Sequence, residues 1–533
     1  MTVAYFSMEY GLHEEFAAYS GGLGVLAGDF VKAAHDLAAP VVGVGLRWAE
    51  GYTLQRIGPD GTPVDQWRGE QHQGFLSDQG IRVRVRVGHR TVECRVWRVG
   101  RYAIAPLYLL EPVEPQDAWI TRRLYDTRPG ARIAQEMLLG IGGVRALRLL
   151  HPEVRLYHFN EGHAVFGGLE LVAARMAEGA TFDEAWRGAR ATIRFTTHTP
   201  VPAGNEVHPL AELIRLGAGS ELVANELTRL GGDPFSMTAA GLRLAQQANA
   251  VAQLHAETAR KMWAGLEDAA PIVAITNGVH VGTWQDGRVP GALDDDRALS
   301  ALHRTMKTEL VAEVRRSTGV ELDPDVLILV FARRAATYKR PDLVLRDPDR
   351  LAPLLEGRRL QLVFAGKAHP ADQGGKAMVA RLIRAIHRWP DACVFLENYD
   401  MGLARLLTRG ADVWLNTPRR PLEASGTSGM KAALNGVLNC SILDGWWPEG
   451  CVHGVTGWAI GDGAAADSPE EQDRQDLAAL FDVLEGEVLP AYADPPRWTG
   501  MMRAAIQMAR TRFSAERMVR DYFTYLYDAP LPP

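Results

Sequence analysis

Nine residues, Glu423-Ala-Ser-Gly-Thr-Ser-Gly-Met-Lys431, gather one carboxylate, three hydroxyls and a lysine ahead of the helix-like run Ala-Ala-Leu-Asn-Gly436. Gly426 and Gly429 permit a tight turn, and the small side chains leave the main chain open to a ligand. In such a place the Lys431 amine could be desolvated and kept neutral, the state an imine-forming lysine needs. A Gly/Ser loop closed by a solvated lysine would carry the same letters. A P-loop is excluded, because no Gly-Lys-Ser/Thr closes the glycine frame that motif requires.

Two further stretches could hold anions. Ser20-Gly21-Gly22-Leu23-Gly24 precedes an apolar helical run, so consecutive backbone N–H groups and a helix N-terminus would favour negative charge. A tight structural turn reads the same way. Phe331–Pro341 places Arg333, Arg334, Lys339 and Arg340 within eight residues, directly after an apolar strand. Four cations at a strand's carboxyl end are costly unless something negative lies there, although a solvated basic turn is the other reading. Arginine offers bidentate oxyanion contacts and lysine a compact point charge.

The elements that must position these residues follow an α/β pattern. Short apolar runs alternate with longer helical periodicity, the signature of open parallel sheets. Strands are expected at Val3–Phe6, Val41–Val44, Val154–Phe159 and Ile193–Thr196, with helices over Ala27–Leu37, Ile133–Leu150 and Gly162–Met176. Arg82–Val87 and Val92–Val96 alternate as a hairpin turned at Gly88-His89-Arg90. In the second half, strands are expected at Val326–Phe331, Leu360–Phe364, Val394–Leu396, Val413–Leu415 and Val437–Leu443. The turn-forming Thr276-Asn-Gly-Val-His280 marks a boundary, giving domains 1–280 and 281–533. The fold class is therefore α/β, with two Rossmann-like doubly wound domains facing each other across a cleft and ligands at the carboxyl ends of their strands.

Composition narrows the function class. At 533 residues the chain is too long for one core, and 47% hydrophobic with 23% charged residues is an ordinary globular balance. A net charge of −6 argues against a general nucleic-acid binder. No apolar run approaches bilayer-spanning length, and Met1–Glu9 lacks a basic n-region, so neither a membrane span nor a secretory signal is expected. Cys94, Cys393, Cys440 and Cys451 show no metal spacing, nor do the histidines, which points to a reduced, cytoplasmic protein without a metal.

The lysine segment resembles the pyridoxal-phosphate motif E-A-S-G-T-x-x-M-K of the α-glucan phosphorylases, matching every fixed position, with Ser428-Gly429 where longer members have Gly-Asn. The likeness runs in order from about Ala4 to Leu434, as in a short bacterial-type member of glycosyltransferase GT-B architecture. It implies pyridoxal 5′-phosphate on Lys431, with Thr427, Tyr399 and Lys339 near the cofactor phosphate and Trp284 beside the cofactor. Tyr399 precedes Glu423 by the family's 24 residues. Gly21, Gly22 and Gly24 match a phosphate-binding glycine loop, Gly22 also lying at the substrate. Arg334 and Lys339 match a K-R-x-x-x-Y-K-R phosphate element, in which Arg333 replaces the family's lysine and Ala336 a histidine. His198, in Phe195-Thr-Thr-His-Thr-Pro200, implies a glucose-pocket histidine, with Thr197 where the family has asparagine. Asn277 matches a sugar-binding T-N-G-[IV] asparagine. Glu423, Ser425 and Gly426 would address glucose hydroxyls, and Asn160-Glu-Gly-His163 resembles an N-D-x-H element near the cleft.

The activity implied is retaining phosphorolysis of an α-1,4-glucan or maltodextrin by inorganic phosphate to α-glucose 1-phosphate, with the cofactor's 5′-phosphate as proton relay. The family expectation for assembly is a homodimer. Two other readings share the fold: a nucleotide-sugar glycosyltransferase with no use for Lys431, and a carbohydrate-binding relative without catalysis, to which Arg333 and Ala336 lend room.

Overall fold

Continuous burial on both faces, the mark of parallel strands under helical layers, decides where the strands fall. In the computed structural model, which describes residues 1–67, 69, 73–201 and 204–531, the chain forms two compact units. Unit 1 comprises Met1–Tyr52, Trp67–Thr276 and Ala515–Pro533, and unit 2 comprises Thr53–Gln66 and Asn277–Ser514. This differs from a single break after residue 280. The antiparallel ribbon Leu54–Ile57 and Pro63–Gln66 is fastened to unit 2 by Gln55, whose amide group exchanges two hydrogen bonds with the Ala368 backbone, at 3.0 and 2.9 Å. The helix Ala515–Asp521 returns to unit 1, where it packs on the helix Gly22–Asp36.

The sheet of unit 1 has nine strands in the order Ile272–Ala274, Gln247–Ala250, Ile193–Thr196, Val154–Asn160, Thr2–Phe6, Val41–Leu46, Leu107–Pro112, Arg90–Val99 and Leu76–Val87. The first seven run parallel, and the last two add an antiparallel hairpin at one edge. In chain order the parallel strands read outward in both directions from Thr2–Phe6 and Val154–Asn160, so the topological switch lies between these two. The hairpin closes with Val87 opposite Arg90, a tighter turn over Gly88-His89 than the three-residue one expected.

Unit 2 repeats the plan with six parallel strands, in the order Cys393–Leu396, Leu360–Ala365, Leu327–Ala332, Val413–Asn416, Leu438–Ile442 and Gly457–Ile460. Its switch lies between Leu327–Ala332 and Val413–Asn416. Both strands are wholly buried. Asp412 braces their amino ends: buried, it accepts the Ile328 N–H at 2.7 Å, bonds His303 at 2.9 Å and pairs with the Lys307 ammonium. Burial works to raise its carboxyl, but Lys307 and His303 win and hold it below its usual range.

The helix Gly22–Asp36 begins five residues before the apolar run Ala27–Leu37 would place it. Its first turn is glycine-rich, and the packing of Gly24, Val25 and Leu26, rather than propensity, carries the helix back to Gly22. The run Ile133–Leu150 is one helical stretch broken by a π-turn at Leu138–Gly142, between Ala131–Met137 and Gly143–Leu150. Among the described residues no helix is long and apolar enough to cross a membrane.

Candidate active site

In unit 2 the two strands at the switch each deliver one half of a charged cluster. After Leu327–Ala332 the chain carries Arg333 and, at the end of a short 3-10 turn over Thr337–Lys339, Lys339. After Val413–Asn416 it passes Arg420-Pro421 and reaches Glu423. The Glu423 carboxylate lies 2.9 Å from the Arg333 guanidinium and 3.0 Å from the Lys339 ammonium, all three groups buried. Burial alone would raise the Glu423 carboxyl, but the two cations outweigh it and hold it at about 2. Lys339 fares oppositely. Burial, with Arg333 beside it, brings the ammonium down to about 7 even though Glu423 opposes this. One carboxylate thus serves two buried cations, and the site retains an excess of positive charge suited to an oxyanion. Arg334 is exposed beside this pair.

Arg340 locks the basic turn. Its φ of 46° is left-handed, a strained choice for arginine. Its buried guanidinium donates to the carbonyls of Thr417 and Pro418, at 3.0 and 2.9 Å, and to Asp473 and Asp476, at 2.7 and 2.6 Å. The two post-strand loops are thereby joined.

The Glu423–Lys431 segment turns at Gly426, whose φ of 87° suits glycine, and enters the short helix Thr427–Ala433. A Cβ on Gly429 would sit 2.3 Å from Asn439 Oδ1, so no larger residue fits. Lys431 is buried with its Nζ 3.9 Å from the ring centroid of Trp284, itself 1% exposed. Asn435 makes that pairing: its Nδ2 donates to the carbonyls of Trp284 and Lys431, both at 3.0 Å. Ser425 Oγ is buried without a hydrogen-bond partner, and Asn416 Oδ1, at the end of the switch strand, is likewise unpaired. Tyr399 is half-buried after Cys393–Leu396, and Asn277 is buried where unit 2 resumes. Burial raises the Tyr399 hydroxyl pKa, with Arg333 close enough to oppose it.

Asp444 is the residue that sequence reasoning missed here. Following Leu438–Ile442, it accepts the Glu423 N–H at 2.9 Å and the Gly445 N–H at 2.8 Å, while Trp446 N–H donates to Ser425 O at 2.9 Å. Burial, against these donors, pushes its carboxyl to about 7. An acidic residue directly after a buried strand was the available signal.

Unit 1 has its own polar cluster at its switch. Asn160 Nδ2 reaches Ser7 Oγ at 3.3 Å, and Asn160 Oδ1 lies 2.6 Å from His198 Nε2. Glu161 adopts φ 74°, and its carboxylate accepts the His198 N–H at 2.6 Å. Burial raises Glu161 to about 7 and lowers His198 and His163 to about 3, so both histidines are neutral at physiological pH. Gly21, Gly22 and Gly24 belong to the turn that opens the helix Gly22–Asp36, Gly21 at its N-cap.

A sequence model described as carbohydrate phosphorylase matches residues 293–447, which hold the whole unit 2 cluster except Trp284 and Asn277. The maltodextrin phosphorylase of Thermococcus litoralis is 38% identical over 99% of this chain and 71% of its own length. The chain belongs to the α-glucan phosphorylase family. The glycogen phosphorylase of Mycobacterium tuberculosis is 41% identical over 98% of this chain and 70% of its own length. An uncharacterized Methanocaldococcus jannaschii protein is 34% identical over 98% of this chain and 99% of itself. The two doubly wound parallel sheets are those of the family's GT-B type.

Proposed function

We infer that this protein catalyses the phosphorolysis of an α-1,4-glucan, maltodextrin or glycogen in class, by inorganic phosphate, releasing α-glucose 1-phosphate with retention. The observation that carries this is the buried Arg333–Glu423–Lys339 cluster at the unit 2 switch point in a chain of this family. It supplies cations for phosphate and a carboxylate for sugar hydroxyls.

Family membership implies pyridoxal phosphate, and the unit 2 residues fit it. Lys431 is a buried amine against the Trp284 ring, with the unpaired Ser425 Oγ in the same segment. We assign Lys431 to hold the cofactor, Thr427, Tyr399, Lys339 and the Gly21–Gly24 turn to its phosphate, and Trp284 to its ring. When bound there, the cofactor supplies its phosphate as the acid–base group.

The chain's own residues then have distinct tasks. Arg334, Arg333 and Lys339 bind the attacking phosphate, neutralising charge that would otherwise oppose its approach to the anomeric carbon. The bond from that carbon to O4 of the next sugar breaks as a bond to phosphate forms, and O4 takes the proton that phosphate gives up. Glu423, Ser425 and Gly426, with Asn277 and His198, orient the glucosyl hydroxyls. His198, neutral and fixed by Asn160, accepts or donates one hydrogen bond without adding charge beside the oxocarbenium-like centre. Phosphorus NMR of maltodextrin incubated with inorganic phosphate tests the reading: a glucose 1-phosphate resonance that grows with wild-type protein and not with Lys431→Ala supports it. No such resonance from wild-type protein refutes it.

A further inference from the structure

Glu9 stands just past the Thr2–Phe6 strand, one of the two flanking the unit 1 switch, and none of the roles above uses it. It is 2% exposed. Its carboxylate accepts the Ser20 N–H at 2.6 Å, the Ser20 hydroxyl at 3.0 Å, the Gly21 N–H at 3.4 Å and the Tyr125 hydroxyl. Four donors from two segments therefore meet on one buried side chain. A buried carboxylate is costly unless it is hydrogen-bonded, and these four donors satisfy it, so Glu9 and the Ser20–Gly21 turn hold one another in place.

The same strand end grips the glycine turn sterically. Gly11 N–H donates to Gly24 O at 2.6 Å. A Cβ on Gly24 would lie 2.6 Å from Glu9 Cβ and 2.7 Å from Glu9 Oε2, and a Cβ on Gly28 would lie 2.0 Å from Gly11 O. The helix Gly22–Asp36 has no side-chain N-cap, and its first intrahelical-type bond runs from Val25 N–H to Gly21 O at 3.2 Å. By helix geometry the N–H groups of Gly22, Leu23 and Gly24 have no intrahelical acceptor. Glu9 thus takes the two donors before the helix, while the three that follow have no acceptor within the helix.

We propose that Glu9 is the positioning residue of the glycine turn, holding Ser20 and Gly21 so that the N–H groups of Gly22–Gly24 are presented to a phosphate group. This rests on the reading of that turn as phosphate-binding. Two sources share the ligand chemistry, the cofactor's phosphate and inorganic phosphate, and two measurements on the holoenzyme separate them. One is the rate at which pyridoxal phosphate is lost on dialysis, followed by its absorbance; the other is KM for inorganic phosphate set against KM for maltodextrin.

Glu9→Ala is expected to change one of the two phosphate readouts by about tenfold or more while the maltodextrin KM stays within about twofold. Glu9→Gln, which retains an acceptor oxygen for Ser20, should recover part of the loss. Faster cofactor loss assigns the turn to the cofactor's phosphate, and a raised phosphate KM assigns it to the substrate. Both readouts within about twofold of wild type, or an equal rise in the maltodextrin KM, would overturn the role, since a merely structural residue lowers stability without singling out phosphate. Should Glu9→Ala not fold, Ser20→Ala removes the hydroxyl contact alone: about a threefold change in the same phosphate readout supports the role, and none overturns it. Wild-type protein that retains no pyridoxal phosphate and performs no phosphorolysis would instead overturn the functional reading on which this one rests.

Discussion

Replacing Glu423 by glutamine removes the one carboxylate that serves Arg333 and Lys339, and the structure sets the size of the effect. The fall of its carboxyl from 4.5 to about 2 corresponds to about 3 kcal/mol of stability at neutral pH. The sign follows from the direction. A depressed carboxyl stabilises the folded state above its unfolded pKa, and that contribution fades as pH falls from 4.5 through about 2. Lys339 modulates the loss. Its ammonium is already down at about 7, so the unfolded chain binds more protons between there and 10.5, and stability rises with pH across that window. Below it, both states are charged and the full cost of burying the ammonium applies. In Glu423→Gln, Lys339 sheds its proton still more readily, leaving mainly Arg333 uncompensated at high pH and both cations at low pH.

We therefore expect Glu423→Gln to lose about 3–5 kcal/mol at pH 6, seen by scanning calorimetry as a Tm lower by about 6–15 °C. The drop should be smaller at pH 8.5. Inorganic phosphate should raise the variant's Tm more than that of wild type, because it returns negative charge to the same two side chains. A variant that melts within about 1 °C of wild type at pH 6 and gains no more from phosphate would refute the charge-compensation argument.

Three further outcomes are expected. Asp444→Ala strands the N–H groups of Glu423 and Gly445, and should lower kcat/KM for maltodextrin at least about tenfold while costing about 1–3 kcal/mol of stability; steady-state kinetics beside urea melts check this. Gly24→Ala drives a Cβ into Glu9 and Tyr19, so either pyridoxal phosphate retention on dialysis or KM for inorganic phosphate should suffer more than in Gly22→Ala, where a Cβ meets nothing within 4 Å. Asp412→Ala leaves Lys307 buried without its carboxylate and should cost about 3–5 kcal/mol in a denaturant melt, with both KM values unchanged at low temperature.

What the chain discloses in advance depends on how local the cause is. The apolar runs Leu327–Ala332 and Leu360–Ala365 show themselves because parallel strands are buried on both faces. Gln247–Ala250 and Gly457–Ile460 do not: both are only four residues long, and Gln-Ala-Asn-Ala is too polar and too small to stand out from a loop. The excursion of Thr53–Gln66 into unit 2 rests on Gln55 meeting Ala368, Ile57 meeting Glu397 and Asp65 meeting Lys376, pairings that no local pattern announces. The site divides the same way. Lys431, Glu423 and the basic turn are legible from residue type and spacing, and Asp444 only weakly so, as an acidic residue after a buried strand, whereas Glu9 and Asn435 acquire meaning only through partners brought close by the fold.

The central claim is that Lys431 carries pyridoxal phosphate in a phosphorylase site. Peptide mass spectrometry of the purified protein after borohydride reduction tests it most directly. A phosphopyridoxyl adduct on the peptide containing Lys431 is the predicted result; an unmodified Lys431, even after incubation with excess pyridoxal phosphate, would contradict it.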